Sequence, residues 1–252
     1  MFHRVTSTII GLLLALNATA GASAAEQNGP TPFPDAKNEA AWPGTGPIRV
    51  HPWMVDNRAW FWTQRAAAQG SIVFVGDSLT GNWKGIAAAF PGMKVANRGI
   101  GGDVSRGVLF RLDEDVLSLK PTAMVLCIGT NDLSCHADTA GVMKNISAII
   151  AQARKQYPDL PVVLCTIPPR DAANAPTKSG ALDDLNAKIT AYAKEQQHLV
   201  LLDLHALLGG PAGELIPENF AADKIHLAEP GYQKWSAALT PILAKLMVPA
   251  AH

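Results

Sequence analysis

The chain has 252 residues, 48% of them apolar, enough for one sizeable domain with its own core. Its 21 basic and 21 acidic side chains cancel, so it lacks the basic stripe that nucleic-acid binding needs. Three cysteines with no Cys-x-x-Cys spacing offer neither a redox nor a zinc motif.

Residues 1–24 read as an export signal. His3 and Arg4 make a basic start, Leu12-Leu13-Leu14-Ala15-Leu16 ends an apolar run, and Ala22-Ser23-Ala24 offers a small-residue cleavage site. The run is too short to span a bilayer comfortably, so no stable membrane insertion is expected, an uncleaved anchor being the alternative. The mature protein is therefore expected in a periplasm or outside the cell. Cutting after Ala24 removes Arg4 and no acid, leaving one excess negative charge. Residues 25–50 form a Pro/Gly-rich arm, expected to pack on the domain or lie partly loose, and residues 51–252 form the domain itself. A helix is predicted over 56–68, with Trp53 and Trp60 expected to cover the core.

From Ser71 onward short apolar runs recur at 72–75, 93–96, 123–128, 162–167 and 199–202. Between and after them lie helical patterns, including 139–156, 181–197 and 230–246. Strands apolar on both faces that alternate with helices imply an α/β fold with a parallel sheet covered on both sides. Pro230 suits the first turn of the last helix, whereas Pro241 should kink or end it. Cys127 and Cys165 fall in buried strands and are expected as inert thiols rather than a bridge.

Ligands of open parallel sheets bind beyond the carboxyl ends of the strands. Four segments fall there: Gly76-Asp77-Ser78-Leu79 after the first strand, Gly99-Ile100-Gly101-Gly102-Asp103 after the second, Gly129-Thr130-Asn131-Asp132 after the third, and Asp223-Lys224-Ile225-His226 before the last helix. Alone, each has a bland reading. Ser78 is an N-cap serine, Gly102 a tight turn or phosphate loop, Asn131 an Asx turn, and Asp-x-x-His a surface pair. Together they supply a nucleophile (Ser78), a base (His226) with its orienting carboxylate (Asp223), and donors for an oxyanion (the Ser78 and Gly102 N–H groups and the Asn131 amide). A carboxylate three residues before an imidazole can reach its Nδ1 and leave Nε2 free for the serine. Neither a Gly-x-Ser-x-Gly elbow nor a dinucleotide glycine pattern occurs near these residues.

In this order the four blocks resemble the SGNH hydrolase superfamily, the GDSL-type esterases, over roughly residues 71–246. The run from Asn97 to Asp103, followed by Arg111-Leu112, and Ile167-Pro168-Pro169-Arg170 are similar to the platelet-activating-factor acetylhydrolase-like branch. The resemblance implies a flavodoxin-like three-layer α/β/α sandwich with a five-stranded parallel sheet in order 2-1-3-4-5. It also implies a Ser78–His226–Asp223 triad with Ser78, Gly102 and Asn131 at the oxyanion. No metal or organic cofactor is called for. The expected reaction is hydrolysis of a short acyl ester, in the first instance acetyl, on a polar alcohol such as a sugar. A lysophospholipase or thioesterase with the same triad, an acyltransferase, and a non-catalytic carbohydrate-binding protein on this fold remain as alternatives. Candidate substrate contacts are Asp77, Trp83, Arg111 and Arg170, with Arg98, Arg106 and the stretches 170–180 and 209–222.

Overall fold

Along the first strand, Ile72 and Phe74 enter one apolar cluster while Val73 and Val75 enter another. Successive side chains of a strand point to opposite faces, so a strand apolar at every position must be covered on both. A computed structural model describes residues 28–247; the export signal read over 1–24 lies outside them. Five strands, β1 (Ile72–Gly76), β2 (Val95–Gly99), β3 (Ala123–Cys127), β4 (Val162–Cys165) and β5 (Leu199–Leu202), form an all-parallel sheet in order 2-1-3-4-5.

In chain order the helices are α1 (Pro52–Gln64), α2 (Ser78–Gly81), α3 (Ile86–Ala89), α4 (Ser105–Asp115), α5 (Thr130–Ser134), α6 (Thr139–Gln156), α7 (Ala181–Glu195), α8 (Leu204–Leu208) and α9 (Glu229–Leu246). Helices α4, α6 and α7 cover the face holding Val73 and Val75, through residues such as Leu112, Ile146 and Leu185. Helices α2, α3, α8 and α9 cover the other, through Leu79, Ile86, Leu208 and Trp235. This is the three-layer sandwich.

Three local expectations are corrected. Helix α1 starts at Pro52 and ends at Gln64, earlier than the predicted 56–68, because Pro52 takes a first-turn position where its missing N–H costs nothing. Trp53 and Trp60 are 49% and 60% exposed rather than core cover. Pro241 neither ends nor interrupts α9 as assigned: both it and Ala237, whose carbonyl loses its partner, face solvent, where water can satisfy the freed group. Cys127, Cys135 and Cys165 are free thiols.

The arm is strapped down over its visible length. Arg106 of α4, almost fully buried, donates to the carbonyls of Pro43, Gly46 and Glu39. Asn145 of α6 donates to Thr45 O and accepts its N–H. Trp42 packs on Phe33 and on Phe110 of α4 at ring-centroid distances of 5.7 and 5.2 Å. Among the described residues no helix is long and apolar enough to cross a membrane.

Candidate active site

Register sets the site. Gly76 at the end of β1 pairs with Gly99 of β2 and Cys127 of β3, so the three following loops leave the sheet at one level. Gly99 is required by close approach: a Cβ there would lie 2.3 Å from Gly81 N, so α2 sits directly on β2. Ser78 is the first residue of α2, where backbone N–H groups have no intrahelical acceptor. Asp77 caps this turn, its carboxylate accepting from Leu79 N–H at 2.9 Å.

Ser78 Oγ lies 2.8 Å from His226 Nε2, and His226 Nδ1 lies 2.5 Å from Asp223 Oδ2. The second carboxylate oxygen, Oδ1, accepts from the backbone N–H groups of Ile225 and His226 at 3.0 Å each. Partial burial pushes the Asp223 carboxyl up, but these hydrogen bonds outweigh it and hold the group below the usual carboxylate range. An ionised Asp223 can only accept, so Nδ1 carries the imidazole proton and Nε2 offers its lone pair to the Ser78 hydroxyl.

Gly102 adopts φ +84°, a left-handed conformation suited to glycine. Asn131, in the first turn of α5, donates through Nδ2 to Asp103 O at 2.9 Å and accepts through Oδ1 from Arg49 Nη1 at 3.2 Å. Nδ2 carries two hydrogens, so one remains for a substrate oxygen. The loops bearing Gly102 and Asn131 are tied together by Asp132, which accepts from Ser105 N–H at 2.9 Å and Ser105 Oγ–H at 2.7 Å.

Beneath the rim lies a charged layer. Burial raises Asp77 to about 7 against the Leu79 hydrogen bond, with Asp103 and Asp132 adding to the rise and Arg170 opposing it. Burial likewise raises Asp132 to about 6 despite its bonds from Ser105. Asp103 is raised by burial and lowered by Arg111, whose Nε donates to it at 2.8 Å.

The candidate substrate contacts belong to this support rather than to the rim. Asp77 is wholly buried and caps α2. Trp83 is 4% exposed and packs on Phe74, Tyr232 and Trp235 in the core. Arg111 is fully buried between Asp103 and Asp115. Arg170 is spent on Thr130 and Ser134 of α5 and on Ala175 O. Arg98 and Arg106 are also buried, the first donating to Asp115 O and the second holding the arm. Each charge read as a surface contact has an internal acceptor that the sequence pattern does not display.

Sequence reasoning missed three residues of the arm and the first turn of α1. Arg49 reaches Asn131, His51 stacks on Trp53 at 4.3 Å, and Trp53 Nε1–H donates to Gly101 O at 2.8 Å. No periodicity marks them, since the partners that tie Arg49 and Trp53 to the site lie 82 and 48 residues away.

At the carboxyl edge of the parallel 2-1-3-4-5 sheet of this three-layer α/β/α fold, serine, histidine and aspartate lie hydrogen-bonded in a row. The GDSL-like Lipase/Acylhydrolase family model matches residues 70–234, and the chain belongs to that family. The chain is 27% identical over 233 residues to platelet-activating factor acetylhydrolase IB subunit alpha1 of Rattus norvegicus, covering 86% of this chain and 89% of that protein. Its fold is similar to that of a GDSL-like lipase from Bacteroides thetaiotaomicron, with a TM-score of 0.66 and 23% identity over 75% of this chain and 97% of the other. It is also similar in fold to a carbohydrate esterase family 3 protein from Talaromyces cellulolyticus, with a TM-score of 0.53 and 16% identity over 71% and 98% of the two chains.

Proposed function

We propose that the protein is an exported serine esterase that removes a short acyl group, acetyl first, from a polar alcohol. The observation that carries this reading is the Ser78–His226–Asp223 row, with contacts of 2.8 and 2.5 Å. In this mechanism His226 Nε2 takes the Ser78 proton as Oγ attacks the acyl carbon. The developing oxyanion rests against the Ser78 and Gly102 N–H groups and the Asn131 amide. His226 then gives its proton to the leaving alcohol, takes one from a water whose oxygen attacks the acyl carbon, and returns it to Ser78 Oγ as the acid is released.

The short-acyl part draws on two supports. Beside the apolar Met54, the side chains gathered at Gly102 and Asn131 are polar or aromatic (Arg49, His51, Trp53). The rat relative is by its name an acetylhydrolase. The export signal read in the sequence suits an esterase that meets its substrate, such as an acetylated glycan, outside the cytoplasm.

Initial rates on p-nitrophenyl acetate, butyrate, octanoate and palmitate, for wild type and Ser78→Ala, test the proposal. Fast acetate turnover that falls with chain length and vanishes in Ser78→Ala is expected. Preference for octanoate or longer would move the substrate to lipids, and undiminished turnover by Ser78→Ala would overturn the mechanism.

A further inference from the structure

Residues 49–53 precede the family match, which begins at residue 70, and the mechanism above assigns them no step. They nevertheless run from one candidate oxyanion donor to the other. Arg49 Nη1 donates to Asn131 Oδ1 at 3.2 Å, and Arg49 Nη2 lies 3.3 Å from His51 Nε2. Arginine has no acceptor atom, so His51 Nε2 supplies a lone pair and the ring carries its proton on Nδ1. The His51 ring lies flat on Trp53, with an interplanar angle of 11°, and Trp53 Nε1–H holds Gly101 O. A methyl group added at Gly102 would meet His51 Cδ2 at 3.5 Å and Arg49 Nη2 at 3.9 Å.

From this geometry we infer that Arg49 is a positioning residue for the hydrolysis, acting through Asn131. An amide side chain can sit either way round, and only one way presents N–H to an oxyanion. Two fixed partners select it. The guanidinium can only donate and so demands Oδ1; the Asp103 carbonyl can only accept and so demands Nδ2. Arg49 also acts electrically. Among the described residues it forms no ion pair, both of its side-chain hydrogen-bond partners being neutral. A cation on Oδ1 draws density from the amide and strengthens the remaining Nδ2–H as a donor, through the cooperativity of linked hydrogen bonds. His51, itself stacked on Trp53, holds the second guanidinium nitrogen through Nε2. The arm thereby completes an oxyanion hole whose other parts all lie within the family match.

The inference rests on Asn131 being an oxyanion donor, and a double-mutant cycle separates the two ideas. kcat and KM for p-nitrophenyl acetate are measured for wild type, Arg49→Met, Asn131→Ala and the double variant, with thermal melts of each. Arg49→Met is expected to lower kcat about 10- to 100-fold, the range for loss of a hydrogen bond to a charged group, with KM within about twofold. In the Asn131→Ala background the same change is expected to cost less than about twofold, because its route is gone. Arg49→Lys, which keeps one donor and the charge, should recover part of kcat. Equal losses in both backgrounds, or no loss of kcat in Arg49→Met, overturn the inference and leave the esterase reading standing. Full kcat in Asn131→Ala removes the premise itself. If Arg49→Met melts far below wild type, Arg49→Gln replaces it in the same cycle.

Discussion

Asp223 holds His226 twice, by its ring and by its main chain. Oδ2 accepts from Nδ1 at 2.5 Å and Oδ1 from the His226 backbone N–H at 3.0 Å. Lys224, between them, takes φ +56°, the left-handed bend that turns the histidine back on the carboxylate, and its Nζ lies 3.6 Å from Asp171 Oδ2. The carboxylate therefore shapes the loop as well as the imidazole.

Asp223→Asn should keep the loop, because the amide oxygen can still accept both backbone N–H groups. It should lose the tautomer, because an amide NH₂ facing Nδ1 forces the proton onto Nε2. We expect kcat on p-nitrophenyl acetate to fall by about 10³–10⁴-fold with little change in melting temperature. A melting temperature that drops along with kcat would assign the aspartate a mainly structural role.

Gly102→Ala places a Cβ where φ is +84° and where Met54 Cε would lie 3.3 Å away. The strain should cost about 1–2 kcal/mol of stability. Turnover should fall further than any unfolding explains, since the proposed mechanism uses the Gly102 N–H as an oxyanion donor. Denaturant titration beside kcat, measured at a temperature where both proteins are fully folded, checks it.

Asp77 gives a pH test with a definite sign. Its carboxyl titrates at about 7 in the folded protein against an ordinary 3.8, so between those values the folded state binds more protons than the unfolded one. Stability tied to Asp77 is thus highest below pH 3.8 and is lost as pH rises toward 7. Asn at this position keeps the cap to Leu79 N–H without titrating. The melting temperature of Asp77→Asn should therefore gain on wild type as pH rises from about 4 to about 8, and a constant difference would count against the buried, protonated carboxyl.

Arg111→Ala should be among the most damaging changes away from the chemistry. The guanidinium is fully buried, bonded to Asp103 at 2.8 Å and to Gly76 O at 3.2 Å. Removing it strands Asp103 and leaves Asp115 to Arg58 alone, which should cost about 3–5 kcal/mol. Urea midpoints for wild type and variant measure this.

The inner strands were legible because their runs are almost wholly apolar, whereas edge strand β2 (Val95–Gly99) lies later than the apolar run at 93–96 because it carries the polar Asn97 and Arg98. The reacting loops were legible because three short blocks follow the first three strands and the fourth precedes the last helix. Helix α6 was legible to both ends, 139 and 156, since Asp138 caps it and its apolar stripe is continuous. What could not be read is pairing across long separations. Arg111 looks like a surface charge until Asp103 and Asp115 fold around it, and Trp83 looks like a rim aromatic until α9 closes over it. Arg49 and Asn131 are 82 residues apart, and no local pattern announces their meeting.

The strap that Arg106 and Asn145 place over residues 43–46 divides inheritance from adjustment. Serine, histidine and aspartate are carried by the sheet and its loops, whereas the stretch from Arg49 to Trp53 is laid against them by its side chains, Arg49 on Asn131 and Trp53 on the Gly101 carbonyl. The oxyanion side of the site is thus finished by a segment that the sheet does not carry, and rewriting Arg49 or Trp53 would reach the chemistry directly.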